Sequence, residues 1–155
     1  MMKINIDGVG SKKSDILERA AIFFANQLLH KRTIKNIVLD IDVFKNLSVQ
    51  GQCLDDEGVR NPRWFTIMLD NCKIEDMVQT LAHEMVHLKQ FAKNELKMGQ
   101  PVDSRGGMSS VALWNGKPWV AKKNEDVYYD SPWEIAAYGM EVGLYHKWKK
   151  YSQSC

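Results

Sequence analysis

Ile74-Glu75-Asp76-Met77-Val78-Gln79-Thr80-Leu81-Ala82-His83-Glu84-Met85-Val86-His87-Leu88-Lys89-Gln90-Phe91 decides how this chain folds. Ile74, Met77, Val78, Leu81, Met85, Leu88 and Phe91 recur at helical spacing, with Glu75 and Asp76 in the first turn, where the helix dipole favours negative charge. The periodicity predicts a helix over 74–96, ended by Gly99 and Pro101. On that helix His83 and His87, four residues apart, leave from one face and can reach a single metal ion. Glu84 follows the first of them and is placed to exchange a proton with a metal-bound water. With four histidines and eight glutamates among 155 residues, random order would give H-E-x-x-H in about one of two hundred such chains. Core packing explains the motif poorly, because three polar side chains buried unpaired beside Leu81, Met85 and Leu88 would be costly.

Outward from this helix, Asn61-Pro62 opens a strand-like run, Trp64 to Leu69, and Asp70-Asn71 closes it and can cap the helix beyond. Residues 37–43 read as another strand, and 49–54 as a weaker one. Asp55-Asp56-Glu57-Gly58 is an acidic turn; it lacks the further ligand positions of a calcium loop. After a short polar start, Ser14 is the expected N-cap of a helix over 15–30, with Ile16, Leu17, Ala20, Phe23, Phe24, Gln27 and Leu28 on its buried face. Residues 102–110 are polar and Gly-rich, and mobility is expected there. Trp114 to Trp119 reads as a turn between short strands with Asn115-Gly116 at its tip. Ser131 can cap a last helix that has Pro132 at N1 and runs to about Lys150. The expected architecture is one α+β domain over 1–155. A short mixed sheet packs on the N-terminal helix, the histidine helix and the C-terminal helix.

Composition narrows the partners. A net charge of +2 is too small to imply nucleic acid or an anionic membrane. The basic run His146-Lys147-Trp148-Lys149-Lys150 reads as a solvated helix end. Cys53, Cys72 and Cys155 are odd in number and form no C-x-x-C pair, so free thiols in a reducing compartment are expected. Residues 1–10 lack the apolar core of a signal peptide, and no run reaches membrane-spanning length; the expected location is cytoplasmic.

A catalytic zinc site normally takes three protein ligands and leaves a position for water. His30 ends the first helix, where a structural or exposed role is expected, and His146 sits among lysines that disfavour a cation. Glu134 is the preferred third ligand: Pro132 fixes where its helix starts, and Ala136 and Ala137 permit close approach to the histidine helix. Glu141, two turns on, is an alternative ligand or an acceptor for a ligand's second nitrogen, and His146 remains a further alternative.

His83 to Gln90, followed after a W-x-G-like turn by Pro132-Trp133-Glu134-Ile135-Ala136-Ala137-Tyr138, resembles the small zincin-fold metallopeptidases. The SprT-like and phage-type members, in which a P-x-E-x-x-A segment follows the zinc helix, are the most similar, over about half the chain, 66–145. The resemblance implies a glutamate third ligand of the gluzincin kind, carried onto Glu134. It departs from SprT proper, whose third ligand is a histidine, because no histidine lies between His87 and His146; a DNA-repair role by analogy loses its footing. Zn²⁺ on His83, His87 and Glu134 would lower the pKa of its water to about 7, with Glu84 as general base. Tyr128, Tyr129 and Tyr138 are candidate oxyanion donors, Tyr138 foremost, although core lining is the plainer role for each. The expected partner is a protein or peptide substrate. Two rivals stand beside this: a catalytically silent, zincin-shaped binding module with structural zinc, and a nucleic-acid-associated protease resting on Lys147, Lys149, Lys150 and exposed aromatics.

Overall fold

Alternation of apolar and polar side chains sets the central sheet of the computed structural model, which describes residues 1–98 and 112–154. The Gly-rich stretch 102–110, with Gly99, Pro101 and Cys155, lies outside the described residues. Strands β1 (Lys3–Asp7), β2 (Val38–Phe44) and β4 (Trp64–Asp70) run parallel, and β3 (Gly51–Asp55) is antiparallel to β4, in the order β1-β2-β4-β3. Register places Leu39, Ile41 and Val43 beside Phe65, Ile67 and Leu69. All six are buried, while Asp40, Asp42, Thr66 and Met68 between them are only half-buried.

Helices α1 (Ser11–Leu28) and α3 (Ile74–Ala92) contribute Leu17, Phe24, Met77, Leu81, Met85 and Leu88 to the same core. A four-residue helix, α2 (Lys31–Ile34), links α1 to β2, with the exposed His30 accepting from the Arg32 amide as its cap. Helix α4 (Pro132–Gln153) packs across α3, with Ala137 fully buried. A second sheet, β5-β6-β7, comprises β5 (Leu96–Lys97), β6 (Ala112–Trp114) and β7 (Lys117–Trp119). Asn115 (φ 51°) and Gly116 (φ 81°) form the left-handed pair that a two-residue hairpin requires. The rings of Trp114 and Trp119 lie 6.3 and 5.1 Å from Trp133, so the hairpin braces the first turn of α4. The architecture is α+β, with a mixed sheet and four helices among the described residues. None of these helices is long and apolar enough to cross a membrane.

Several boundaries differ from expectation. Helix α3 stops at Ala92, four residues early. Asn94 turns left-handed (φ 59°), its N–H donates to Phe91 O, and the Glu95 N–H donates to Gln90 O at 2.8 Å. This pair of bonds satisfies the last carbonyls and frees Leu96 to enter β5. At the other end Lys73 holds the N-cap position without a side-chain bond; Asp70 instead accepts from the Leu47 amide and Asn71 from Lys13 Nζ. Helix α1 begins at Ser11 behind Gly10 rather than at Ser14, and Gln27 on it is exposed. Ser131 precedes α4, but its hydroxyl donates back to Tyr128 O. Residues 3–7 are not a polar start but an edge strand, in which only Ile4 and Ile6 pack on the core.

The turn out of β1 depends on Gly8, whose φ is +95° and where a Cβ would meet the Val43 carbonyl oxygen at 2.0 Å. Gly8→Ala should lower stability by about 1–3 kcal/mol or more, because backbone blocks the methyl group and the dihedral is strained. Gly143→Ala in α4, where a Cβ would meet nothing within 4 Å, should raise stability by about 0.5–1 kcal/mol. Denaturant midpoints of the two variants against the wild type check both signs.

Candidate metal centre

Helix α3 is enclosed from Leu81 to Leu88, so its polar side chains are enclosed with it. His83, Glu84 and His87 are 5, 5 and 7% exposed, and Glu134, from the first turn of α4, is 6% exposed. Such groups stay buried only when they satisfy one another. Glu134 Oε1 lies 2.9 Å from His83 Nε2 and 3.1 Å from His87 Nε2, and the two Nε2 atoms are 3.2 Å apart. Donors bonded at about 2.0–2.1 Å to one tetrahedral ion stand about 3.3 Å apart. The triangle therefore has the size and donor chemistry of a metal site, and the three residues can hold a metal ion.

The outer atoms of the imidazoles differ. His87 Nδ1 lies 2.8 Å from Gln90 Oε1, and the Gln90 amide nitrogen donates to the Trp133 carbonyl at 3.0 Å. Among the described residues His83 Nδ1 is buried without a hydrogen-bond partner, and Glu141 Oε1 stands 3.7 Å from it. Glu141 thus lies on the outer side of His83, away from the cluster of Nε2 atoms. His146 is exposed on α4 and does not join the group.

Burial would raise the Glu134 carboxyl, but hydrogen bonds from His83 and His87 outweigh it and hold the group at about 2. Burial pulls His87 down, yet Glu134, through its hydrogen bond and its charge, leaves it raised on balance. Glu84 lacks an equivalent partner, and burial lifts it to about 7 against the opposing pull of His87 and His83. The centre therefore combines an ionised carboxylate ligand with a second carboxyl that titrates near neutrality. Burial also pushes the Cys53 thiol well above its usual value, so no thiolate competes here.

Strand β3 meets the centre at Gly51. A Cβ there would lie 2.6 Å from Thr80 Cγ2 and 3.2 Å from Glu84 Cγ and Oε1. Only a residue without a side chain lets the strand come this close to Glu84.

The tyrosines do not line the core: Tyr128, Tyr129 and Tyr138 are 47, 65 and 42% exposed. They form a wall beside the centre. The Tyr138 ring lies 4.5 Å from the His83 ring and stacks on Tyr129, and its hydroxyl is 3.3 Å from that of Tyr128. Burial and the Tyr138 hydrogen bond raise the Tyr128 phenol, so it stays protonated at any ordinary pH.

The structure thus brings together His83, His87 and Glu134, with Glu84 beside them and Tyr138 against His83. Sequence reasoning missed Gly51 and Gln90. Gln90 carried a signal in its spacing alone: a polar residue one turn beyond His87, on the same face of the helix. The fold and the site together define an α+β chain with a buried group of two histidines and one glutamate able to hold a metal ion. Comparison with known protein families, with curated proteins and with solved structures gives no significant match.

Because Glu84 titrates at about 7 when folded and at about 4.3 when unfolded, the folded state holds the extra proton between those values. The contribution of Glu84 to the stability of the metal-free protein therefore falls as pH rises across that window, by a few kcal/mol in order of magnitude. Glu84→Gln stays neutral and should raise the metal-free melting temperature relative to wild type more at pH 8 than at pH 5. Equal gains at both pH values would show that Glu84 is not buried as a charge.

Proposed function

We propose that the chain is a small zinc-dependent endopeptidase of the zincin type, with Glu84 as general base. One observation carries this: the three-donor group has beside it a buried carboxyl that is not itself a donor. Zinc on His83, His87 and Glu134 would supply a water acidified to a pKa of about 7 and polarise the scissile carbonyl. Glu84 takes a proton at its carboxylate during attack and returns it to the leaving amine. Glu134 stays ionised beside both imidazoles and fixes their separation. Tyr138, with Tyr128 behind it, offers a hydroxyl donor for the developing oxyanion.

The edge at β3, unpaired among the described residues, suits a peptide substrate. Asp70 N–H donates to Gln50 O, and Asp56 N–H donates to Trp64 O. In the antiparallel alternation these bonds turn Gln52 and Leu54 toward β4, leaving Gly51, Cys53 and Asp55 with backbone donors and acceptors on the open side. An extended peptide adding to that edge would pass Glu84 at Gly51. Three donors rather than four among the described residues, and a carboxyl that a purely structural site does not need, weigh against the silent-module reading. Nucleic-acid association has in its favour the exposed Lys147, Lys149 and Lys150 and exposed aromatics such as Trp64, Tyr129 and Tyr151.

Zinc-loaded protein is expected to cut a denatured protein substrate, to lose that activity to a chelator and to regain it with zinc. Glu84→Gln should keep the metal and lose about 10²–10⁴-fold in rate. Glu134→Ala should weaken metal binding sharply; if it bound zinc as tightly as wild type, the ligand assignment would be wrong.

A further inference from the structure

We infer that Gln90 is a positioning residue of the metal centre: its amide fixes the orientation of His87 and ties that ligand to the turn of α4 that carries Glu134. This rests on the reading of His83, His87 and Glu134 as a metal site. The direction of the amide is set by its two partners. The Trp133 carbonyl can only accept, so the Gln90 atom 3.0 Å from it is the NH₂ group. The amide oxygen therefore faces His87 Nδ1 at 2.8 Å, and that nitrogen must carry the hydrogen. Nε2, pointing at Glu134 and His83, is then the atom that faces a metal; the hydrogen it gives to Glu134 in the metal-free protein leaves when an ion takes its place. Gln90 is 1% exposed, so water does not compete for either bond.

The relay also joins the two elements that carry ligands. His87 and Gln90 share one face of α3, and Trp133 directly precedes Glu134. A slip of α4 along α3 would break the amide's bond to Trp133 as it displaced Glu134. Among the described residues His83 has no such fixture: Glu141 is 3.7 Å from its Nδ1.

Gln90→Met, of equal length and without hydrogen-bonding groups, tests the assignment through zinc affinity against a chromophoric chelator. Ring ¹⁵N resonances of His87 in the metal-free protein provide a second readout. A loss of zinc affinity of about 10–100-fold is expected, the range usual for lost outer partners of metal ligands. The circular dichroism spectrum should be unchanged, and the His87 ring should no longer hold its hydrogen at Nδ1. Gln90→Glu keeps an acceptor for His87 but sets an oxygen against the Trp133 carbonyl; it should preserve the Nδ1–H signal and still lose affinity. Gln90→Met binding zinc within twofold of wild type would overturn the role of Gln90 alone. Wild-type protein with a bare His87 Nδ1 would overturn it too, even if the variants fail to fold. Wild-type protein that binds no zinc would overturn the metal reading itself.

Discussion

Everything in this structure depends on burying one stretch of helix that carries three ionisable side chains, His83, Glu84 and His87. Helix α3 lies against α1 and the sheet and is covered by α4, so from Leu81 to Leu88 it has no solvent face. Desolvating ionisable groups costs several kcal/mol each unless partners replace the lost water. Glu134 replaces it for the inner nitrogens of both histidines, and Gln90 does so for the outer nitrogen of His87. Glu84 receives no such replacement and holds its proton to about pH 7. The apolar cluster from Leu17 through Trp148 supplies the burial free energy that offsets this cost. The arrangement trades stability for a centre whose members stand together inside the fold.

The small sheet contributes through position. Strand β5 leaves the end of α3, and the β6–β7 hairpin sets Trp114 and Trp119 against Trp133. Those rings fix the entry of α4 from outside, while the Gln90 amide fixes it from inside. Glu134 is consequently held between two constraints that share no residue except Trp133.

The parts legible in the sequence are those with a strong period. Helix α3, strands β2 and β4 and the Asn115-Gly116 hairpin follow from spacing and turn chemistry, and Glu134 from Pro132 and the neighbouring alanines. Strand β1 escapes such a reading because Ile4 and Ile6 alone carry its apolar face. The end of α3 escapes it because Leu96 continues the helical period, while the left-handed turn at Asn94 is a backbone event that spacing does not report. The tyrosines mislead because composition does not distinguish an aromatic wall at the surface from one in the core. Gln90 and Gly51 matter through the groups that stand opposite them in space, across 43 residues of sequence for the Gln90–Trp133 bond.

That separation also has a bearing on time. The donors from α3 and α4 are 51 residues apart in the chain, and β1 must find β2 across the whole of α1. Contacts of such range form late, after local helices and hairpins have condensed. During synthesis the two histidines emerge well before Glu134, and until α4 docks they face solvent as an ordinary helical pair. The complete donor set is therefore a property of the finished fold, so an ion that needs all three donors would be captured at the end of folding rather than at its beginning.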